Sequence, residues 1–129
     1  MKKNKYNAVS VIIPTYNEES NIKLLVERIH AAFSKEGITY ELIFIDDHSQ
    51  DKTQEVIRDL SLIYPIILSE KRGKRGKAFS IIEGIRLAQF DAIAMIDADL
   101  QYPPSALPFM LEKLASADIV VANRKKYKD

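Results

Sequence analysis

Short apolar runs alternate along the chain with segments in which apolar residues recur every three or four positions. The runs are rich in isoleucine and valine and almost continuously apolar, which is typical of strands buried on both faces of a parallel sheet. They occupy residues 9–15, 41–46, 66–69, 92–96 and 119–122. The pattern therefore predicts five short strands.

Four segments between these runs have the spacing of amphipathic helices. Their apolar positions are Ile22, Leu25, Val26, Ile29 and Phe33; Val56, Ile57, Leu60 and Ile63; Ala78, Ile81, Ile82 and Ile85; and Leu107, Met110, Leu111 and Leu114. Gly37 is a suitable stop for the first helix. Asp51 and Gln54 have the spacing of a capping box at the start of the second.

Strands and helices therefore alternate in the order βαβαβαβαβ. This order predicts the α/β class: an open, mostly parallel, Rossmann-like sheet with helices on both faces. Ligands of such sheets bind in the crevice beyond the carboxyl ends of the strands. We therefore expect the functional site in five segments, namely residues 14–18, 46–51, 70–77, 97–104 and 123–129.

Composition narrows the class of protein without identifying a ligand. The 129 residues, 47% of them hydrophobic, fit one folded domain over residues 1–129. A net charge of +1 gives no reason to expect nucleic acid or a membrane surface as partner. The absence of cysteine excludes disulfides and thiolate chemistry and favours a cytoplasmic location. The charged N-terminus is not followed by the apolar segment of a signal peptide.

An acid pair, Asp97 and Asp99, follows the fourth apolar run. In an extended segment both side chains point the same way while Ala98 points back. Two such charges about 5 Å apart repel by roughly 3 kcal/mol, and a divalent cation with hard oxygen ligands removes that cost. An isolated pair is equally typical of solvated loop residues, so the pair alone does not establish a metal site.

Other sequence motifs are missing. An EF-hand loop starting at Asp97 would need a glycine where Tyr102 stands. The basic stretch at residues 71–77, with five cations in seven positions, lacks the spacing and the Ser or Thr of a P-loop. Most of these cations are expected in a solvated loop. No G-x-G-x-x-G or G-x-S-x-G motif occurs. The sequence therefore gives little reason to predict a dinucleotide-dependent hydride-transfer enzyme or a serine hydrolase.

Four motifs in order resemble those of a known family. They are VSVIIPTYNE at residues 9–18, IDDHSQDKT at 45–53, GKA at 76–78 and DADLQYPP at 97–104. Together they resemble the nucleotide-binding half of the family 2 glycosyltransferases, which have the GT-A fold. The DADLQ motif followed by two prolines is most similar to the dolichol- and polyprenyl-phosphate hexose synthases. The resemblance extends from residue 9 to residue 124.

The resemblance implies a nucleotide site. Pro14, Tyr16 and Glu18 would line the pocket for the base and ribose, although Pro14 is also a suitable strand terminator. Asp47 would accept a hydrogen bond from the N–H of a uracil or guanine ring. Lys77 would reach the diphosphate close to a helix N-terminus, where anions are favoured. Asn17, between these residues, is expected to cap the first helix.

The resemblance also implies a metal site. Asp97 and Asp99 would be the catalytic acids, and with Gln101 they would hold Mg²⁺ or Mn²⁺. Arg124 matches the basic residue that ends the last strand in the family and would contact the phosphates or the acceptor. A bound cation would stabilise the departing diphosphate as a Lewis acid.

The implied reaction is metal-assisted inverting transfer of a hexose from a UDP- or GDP-linked sugar to polyprenyl phosphate or a glycan. Family members continue into an acceptor-binding half after the fifth strand, where this chain stops. We therefore expect a fragment that binds nucleotide weakly and does not turn over. Any membrane association, at the cytoplasmic face, would come through regions outside this chain.

Two alternatives use related sheets. A sugar-phosphate nucleotidyltransferase would need a glycine-rich loop after the first strand, but residues 14–18 contain no glycine. A non-catalytic receiver-like domain would place an acid pair after the first strand, whereas Asp46 and Asp47 follow the second.

Overall fold

The computed structural model describes residues 6–71 and 74–122, which form one parallel sheet with helices on both faces. The strands are β1 (Ala8–Thr15), β2 (Thr39–Asp46), β3 (Ile66–Glu70) and β4 (Ile93–Met95). The helices are α1 (Ile22–Lys35), α2 (Thr53–Leu60), α3 (Lys77–Leu87) and α4 (Ala106–Lys113), followed by a 3₁₀ turn (Leu114–Ser116). The predicted α/β class is confirmed. Among these described helices, none combines the length and apolar character needed to cross a membrane.

The strand order β3-β2-β1-β4 fixes where a ligand can bind. The chain builds the sheet outward from β1 to β3 and then returns to the other side of β1 for β4. The order reverses between β1 and β4, and open α/β sheets bind ligands at such a switch point, outside the carboxyl ends of the strands. In this register Thr15 is paired with Asp46, and Asp46 with Glu70, so three strands end side by side.

The main core lies between the sheet and helices α1, α2 and α4. The alternation of side chains along β1 and β2 sends Val11 and Phe44 into this layer, where both are fully buried. The intervening residues, Ile12, Ile43 and Ile45, are buried on the opposite face against Ala88, at the end of α3. Both faces of the central strands are therefore apolar, which explains why their sequences show no alternation.

Helix α3 packs on the sheet through its small residues. Ser80 and Gly84 are its buried positions, whereas Ile82 and Ile85 are each 48% exposed. A Cβ atom on Gly84 would lie 2.6 Å from Cγ2 of Ile12, so only glycine permits this close approach. The periodicity predicted the helix correctly, but the apolar stripe does not mark the face that is buried.

The helix ends show one confirmed prediction and one wrong one. Gly37 adopts a φ of 66° and Ile38 N–H donates to the Phe33 carbonyl at 3.0 Å, so Gly37 ends α1 as expected. The capping box predicted for α2 does not form, because only Asp51 makes a capping contact and Gln54 does not. Asp51 accepts from the Thr53 N–H at 2.9 Å, but Gln54 donates to another acid, Asp46, because that buried carboxylate requires donors.

The predicted fifth strand is wrong for this structure. Residues 119–122 form no strand, and Ile119 and Val121 are 79% and 72% exposed. A strand is stabilised by a paired neighbour and a buried face, and the described residues supply neither at this position. The observed order within the described ranges is therefore βαβαβαβα.

Candidate functional site

Asp46, the last residue of β2, organises the loop that follows it. Its carboxylate is fully buried and accepts hydrogen bonds from Thr15 Oγ1 (2.7 Å), Ser49 N and Oγ (2.9 and 2.6 Å) and Gln54 Nε2 (2.7 Å). With four donors already directed at it, this acid has a structural function.

Asp47 faces the other way, as the strand alternation predicts. Its backbone N–H donates to the Thr15 carbonyl at 2.9 Å and extends the ladder by one residue. Its carboxylate is 21% exposed, with Oδ2 3.8 Å from Lys71 Nζ and Oδ1 3.3 Å from His48 Nδ1. The carboxylate therefore has the Lys71 ammonium and the His48 ring beside it and remains accessible as a hydrogen-bond acceptor.

Asn17 joins two of the loops at this edge of the sheet. Its N–H donates to Ser49 Oγ and its Oδ1 accepts from the Gln50 N–H, both at 2.9 Å. The expectation that Asn17 caps α1 is wrong: it adopts a φ of 51°, and α1 begins only at Ile22. Two adjacent parallel strands end here, and the backbone N–H and side-chain oxygen of this one residue hold their loops together.

The predicted base and ribose residues lie on this joined loop. Pro14 is half-buried at the end of β1, and Tyr16 is 47% exposed, which leaves its ring available for stacking. Glu18 is held in place, since its N–H donates to Thr53 Oγ1 at 2.8 Å and its carboxylate accepts from Asn21 Nδ2 at 2.9 Å. These residues therefore lie on the loop that Asn17 joins to the loop after β2.

Asp51 fixes the start of α2 and also bonds to the loop after β1, through the Glu19 N–H. Desolvation raises the pKa of Asp51, but hydrogen bonds donated by the Thr53 hydroxyl, the Thr53 N–H and the Glu19 N–H together lower that pKa below its ordinary value of 3.8. The ionised form is therefore the one that the fold stabilises.

Lys77 and Asp97 connect α3 to the end of β4. Lys77 Nζ lies 2.7 Å from Asp97 Oδ1, and both side chains remain partly exposed. Lys77 is the first residue of α3, so its ammonium and the free N–H groups of the first turn present positive charge at the same point. An anionic group such as a diphosphate would be favoured here.

Asp99 lies in a turn, whereas the sequence predicted an extended segment that includes both Asp97 and Asp99. β4 stops at Met95, Leu100 has a φ of 63°, and Asp99 Oδ1 accepts from the Gln101 N–H at 3.1 Å. Ala98 is nonetheless buried while Asp97 and Asp99 are accessible, as the alternation predicted.

The donor set fits a divalent cation that arrives with further ligands. Asp97, Asp99 and Gln101 offer carboxylate and amide oxygens, the hard donors that Mg²⁺ and Mn²⁺ take. Within residues 6–71 and 74–122, no three His, Cys, Asp or Glu side chains are grouped so as to hold a metal by themselves. Mg²⁺ in proteins typically uses one or two carboxylates and completes its shell with water and substrate phosphates, which matches this arrangement.

Lys71 is a residue of this site that the sequence did not reveal. The basic stretch predicted a solvated cation here, yet the Lys71 side chain is 1% exposed and lies next to Asp47. The signal was available in the strand order, because Lys71 directly follows β3 and its N–H pairs with the Asp46 carbonyl at 2.9 Å. Arg124, the other predicted phosphate contact, lies outside the described residues, and its function stays a prediction.

Two cavities of the described structure lie away from these loops. One of about 450 Å³, lined among others by Tyr6, Asp91 and Asp118, opens at the amino ends of β1 and β4. Another of about 260 Å³ lies between α1 and α4 and includes Phe109. The convergence of acids, cations and loop hydrogen bonds at the carboxyl ends, rather than cavity size, identifies the candidate site.

Two relatives are similar to this chain over at least nine-tenths of its length. It is 38% identical to a dolichol-phosphate mannosyltransferase of Pyrococcus furiosus over 90% of the chain and 33% of that protein. It is 33% identical to an undecaprenyl-phosphate 4-deoxy-4-formamido-L-arabinose transferase of Pseudomonas aeruginosa, over the whole chain and 39% of that protein. The chain thus spans between a third and two-fifths of the length of these relatives.

Solved structures of other proteins have the same fold as this chain. A mannosyltransferase from Pyrobaculum calidifontis, in complex with GDP-Man and Mn²⁺, superposes with a TM-score of 0.72 at 28% identity, over 84% of this chain and 32% of that one. Glucosyl-3-phosphoglycerate synthase of Mycobacterium tuberculosis superposes with a TM-score of 0.68 at 22% identity, over 85% and 40%, which shows the shared fold. The Glycosyl transferase family 2 model matches residues 10–129, almost the entire chain. With the strand order, the acid-bearing loops and this match in agreement, the chain belongs to glycosyl transferase family 2.

Proposed function

We propose that this chain is the nucleotide-sugar-binding region of an inverting glycosyltransferase that moves a hexose from a UDP- or GDP-linked donor to an acceptor. The observation that carries the proposal is the convergence of an accessible acid, Asp47, and a cation–acid pair, Lys77 and Asp97, at one edge of the sheet. The named relatives, which transfer sugars to dolichol or undecaprenyl phosphate, support polyprenyl phosphate as the acceptor ahead of a glycan.

The base and ribose are assigned to the loops after β1 and β2. Asp47 accepts a hydrogen bond from the ring N–H of the base, a donor that uracil and guanine both possess. Tyr16 supplies an exposed aromatic face, and Pro14 and Glu18 complete the pocket. Asn17 ties the loop that carries Tyr16 to the loop after Asp47, which favours a defined spacing between the aromatic ring and the acid.

The diphosphate is assigned to the N-terminus of α3 and to Lys77. Departure of the nucleoside diphosphate develops negative charge on an oxygen, and preorganised positive groups lower the energy of that transition state. Lys77 is held 2.7 Å from Asp97, so its ammonium is in place before the donor binds.

Asp97, Asp99 and Gln101 would hold the divalent cation, Mg²⁺ or Mn²⁺. When bound, such an ion acts as a Lewis acid on the leaving diphosphate. The Mn²⁺ in the Pyrobaculum structure supports this assignment. Asp97, which pairs with Lys77, would also hold the ion, so it would couple the two sources of positive charge.

A phosphate acceptor simplifies the chemistry that the protein must perform. Polyprenyl phosphate is already an anionic nucleophile, whereas a sugar hydroxyl would need a general base. We assign no general base among the described residues, and we propose that Arg124 contacts the phosphates or the acceptor. Since the chain spans about a third of its first relative, the transfer itself is proposed for the protein that contains this region.

The family match weighs against both alternatives. The model that matches residues 10–129 describes a glycosyl transferase family, and not a nucleotidyltransferase or a receiver domain. In addition, the buried Asp46 has four donors and is closed to solvent, unlike an acid that accepts a phosphoryl group.

Calorimetry with UDP and GDP, with and without Mn²⁺, tests the proposal. We expect Mn²⁺ to tighten the binding of one nucleotide by about tenfold or more, which is about 1.4 kcal/mol. Asp99→Ala should lose this gain, while Asp118→Ala, an exposed acid away from the site, should keep it. Equal gains in the wild type and in Asp99→Ala, or no binding of either nucleotide, would contradict the proposal.

A further inference from the structure

Lys71 is a buried cation between two parts of the candidate site. Its side chain is 1% exposed, and its Nζ donates to the Gly76 carbonyl at 2.6 Å. The same ammonium lies 3.8 Å from Asp47 Oδ2, which is a charge contact rather than a hydrogen bond. One ammonium therefore touches the acid assigned to the base and the residue that precedes α3.

Burial of this lysine needs a reason. Lysine is almost never fully buried unless it is paired, because removing an ammonium from water is costly. The next lysine of the basic stretch, Lys74, is exposed, as is Lys77. Lys71 alone among these three turns inward, and it does so toward Asp47.

The contact with Gly76 acts on α3. The Gly76 carbonyl also accepts from the Ser80 N–H at 3.3 Å, so it closes the first hydrogen-bonded turn of the helix. Gly76 has a φ of 123°, a conformation that residues other than glycine rarely adopt. The Lys71 ammonium therefore anchors the one residue that sets where α3, and with it Lys77, begins.

We propose that Lys71 is a positioning residue that fixes the Asp47 carboxylate relative to the first turn of α3. It thereby sets the spacing between recognition of the base and recognition of the diphosphate. The link to α3 is a property of this fold, whereas the consequence for the base rests on the proposed function. Lys71 itself need not contact the ligand.

Amide hydrogen exchange tests the anchor without any nucleotide. Lys71→Met keeps the length of the side chain and removes its charge and donors. We expect exchange at the Ser80 amide to accelerate by about tenfold, since the carbonyl that holds it loses its second anchor. The matched control is Lys74→Met, which removes the same charge from the exposed part of the stretch and should leave Ser80 unchanged.

Nucleotide affinity tests the link to Asp47. The dissociation constant of the nucleotide that the wild type binds should rise by about tenfold in Lys71→Met and return toward the wild-type value in Lys71→Arg. In the Asp47→Asn background, Lys71→Met should not weaken binding further, because the positioned acid is gone. If Lys71→Met does not fold, Lys71→Gln replaces it in both experiments.

The outcomes separate this inference from the proposed function. An unchanged Ser80 exchange rate, or a loss of affinity in Lys71→Met that is equally large in the Asp47→Asn background, would overturn the positioning by Lys71. Failure of the wild-type protein to bind either nucleotide would instead overturn the proposed function, and the exchange experiment would still decide whether Lys71 anchors α3.

Discussion

Adjacent acids at the end of β2 have different surroundings, and the difference comes from the alternation of side chains. Asp46 points to the layer of α1 and α2, where four donors surround it, and Asp47 points to α3 and the crevice. One residue of displacement along a strand thus separates a structural carboxylate from one that can meet a ligand.

Asp46→Asn should destabilise the protein by about 2 kcal/mol or more, because the new amide would direct a donor at groups that already donate. The free energy of unfolding from urea titration measures this. Asp59→Asn, an exposed acid on α2, serves as the control and should change stability by no more than about 0.5 kcal/mol. A similar loss in both variants would show that the hydrogen bonds of Asp46 do not matter.

Asp51 predicts a dependence of stability on pH. Its pKa in the folded protein lies below the ordinary value of 3.8, so the stabilisation is present above that value and is lost as the pH falls through the folded-state pKa. Asp51→Asn should therefore be less stable than the wild type at pH 7, and the gap should narrow below pH 3.8. Urea titrations at both pH values measure the gap, and a constant gap would contradict the hydrogen-bond explanation.

Helix α3 shows how one element can serve both packing and the site. Its glycine, Gly84, lets the helix approach Ile12 on β1, while its first residue, Lys77, reaches Asp97. Close packing at one end and charge at the other place the helix N-terminus at the switch point of the sheet.

Gly84→Ala tests the packing. Alanine is favoured over glycine in a helix by about 1 kcal/mol, but its Cβ would lie 2.6 Å from Ile12 Cγ2. We expect a net loss of about 1–2 kcal/mol in the free energy of unfolding. In an Ile12→Ala background the collision is gone, so the same change should be neutral or stabilising; a loss of equal size in both backgrounds would rule out the collision.

For the molecule as a whole, four strands, four helices and the edge at which the strand-end motifs meet were predictable from sequence because they depend on local patterns. Apolar runs of isoleucine and valine predicted β1 to β4, and motif residues at strand ends predicted the edge that they share. The rest depends on partners far away in sequence. Asn17 joins a loop more than thirty residues ahead, Lys71 is buried by Asp47, and α3 turns Gly84 rather than its isoleucines to the sheet.

The missing fifth strand has the same cause. Residues 119–122 have strand composition, but composition cannot supply a paired neighbour, and Ile119 and Val121 remain exposed. Strand propensity describes how well a side chain fits a half-buried sheet. It therefore predicts a strand wrongly at residues 119–122, where the described residues provide no neighbouring strand.

The central claim is that a divalent cation and a nucleoside diphosphate meet at the carboxyl edge of the sheet. Paramagnetic broadening of backbone amide signals by Mn²⁺, in the presence of UDP or GDP, locates the ion directly. We expect Ala98, Asp99 and Lys77 to broaden first, and Asp99→Ala to abolish the effect. Broadening centred on Asp91 and Asp118, which line the cavity at the opposite edge, or no localised broadening, would contradict it.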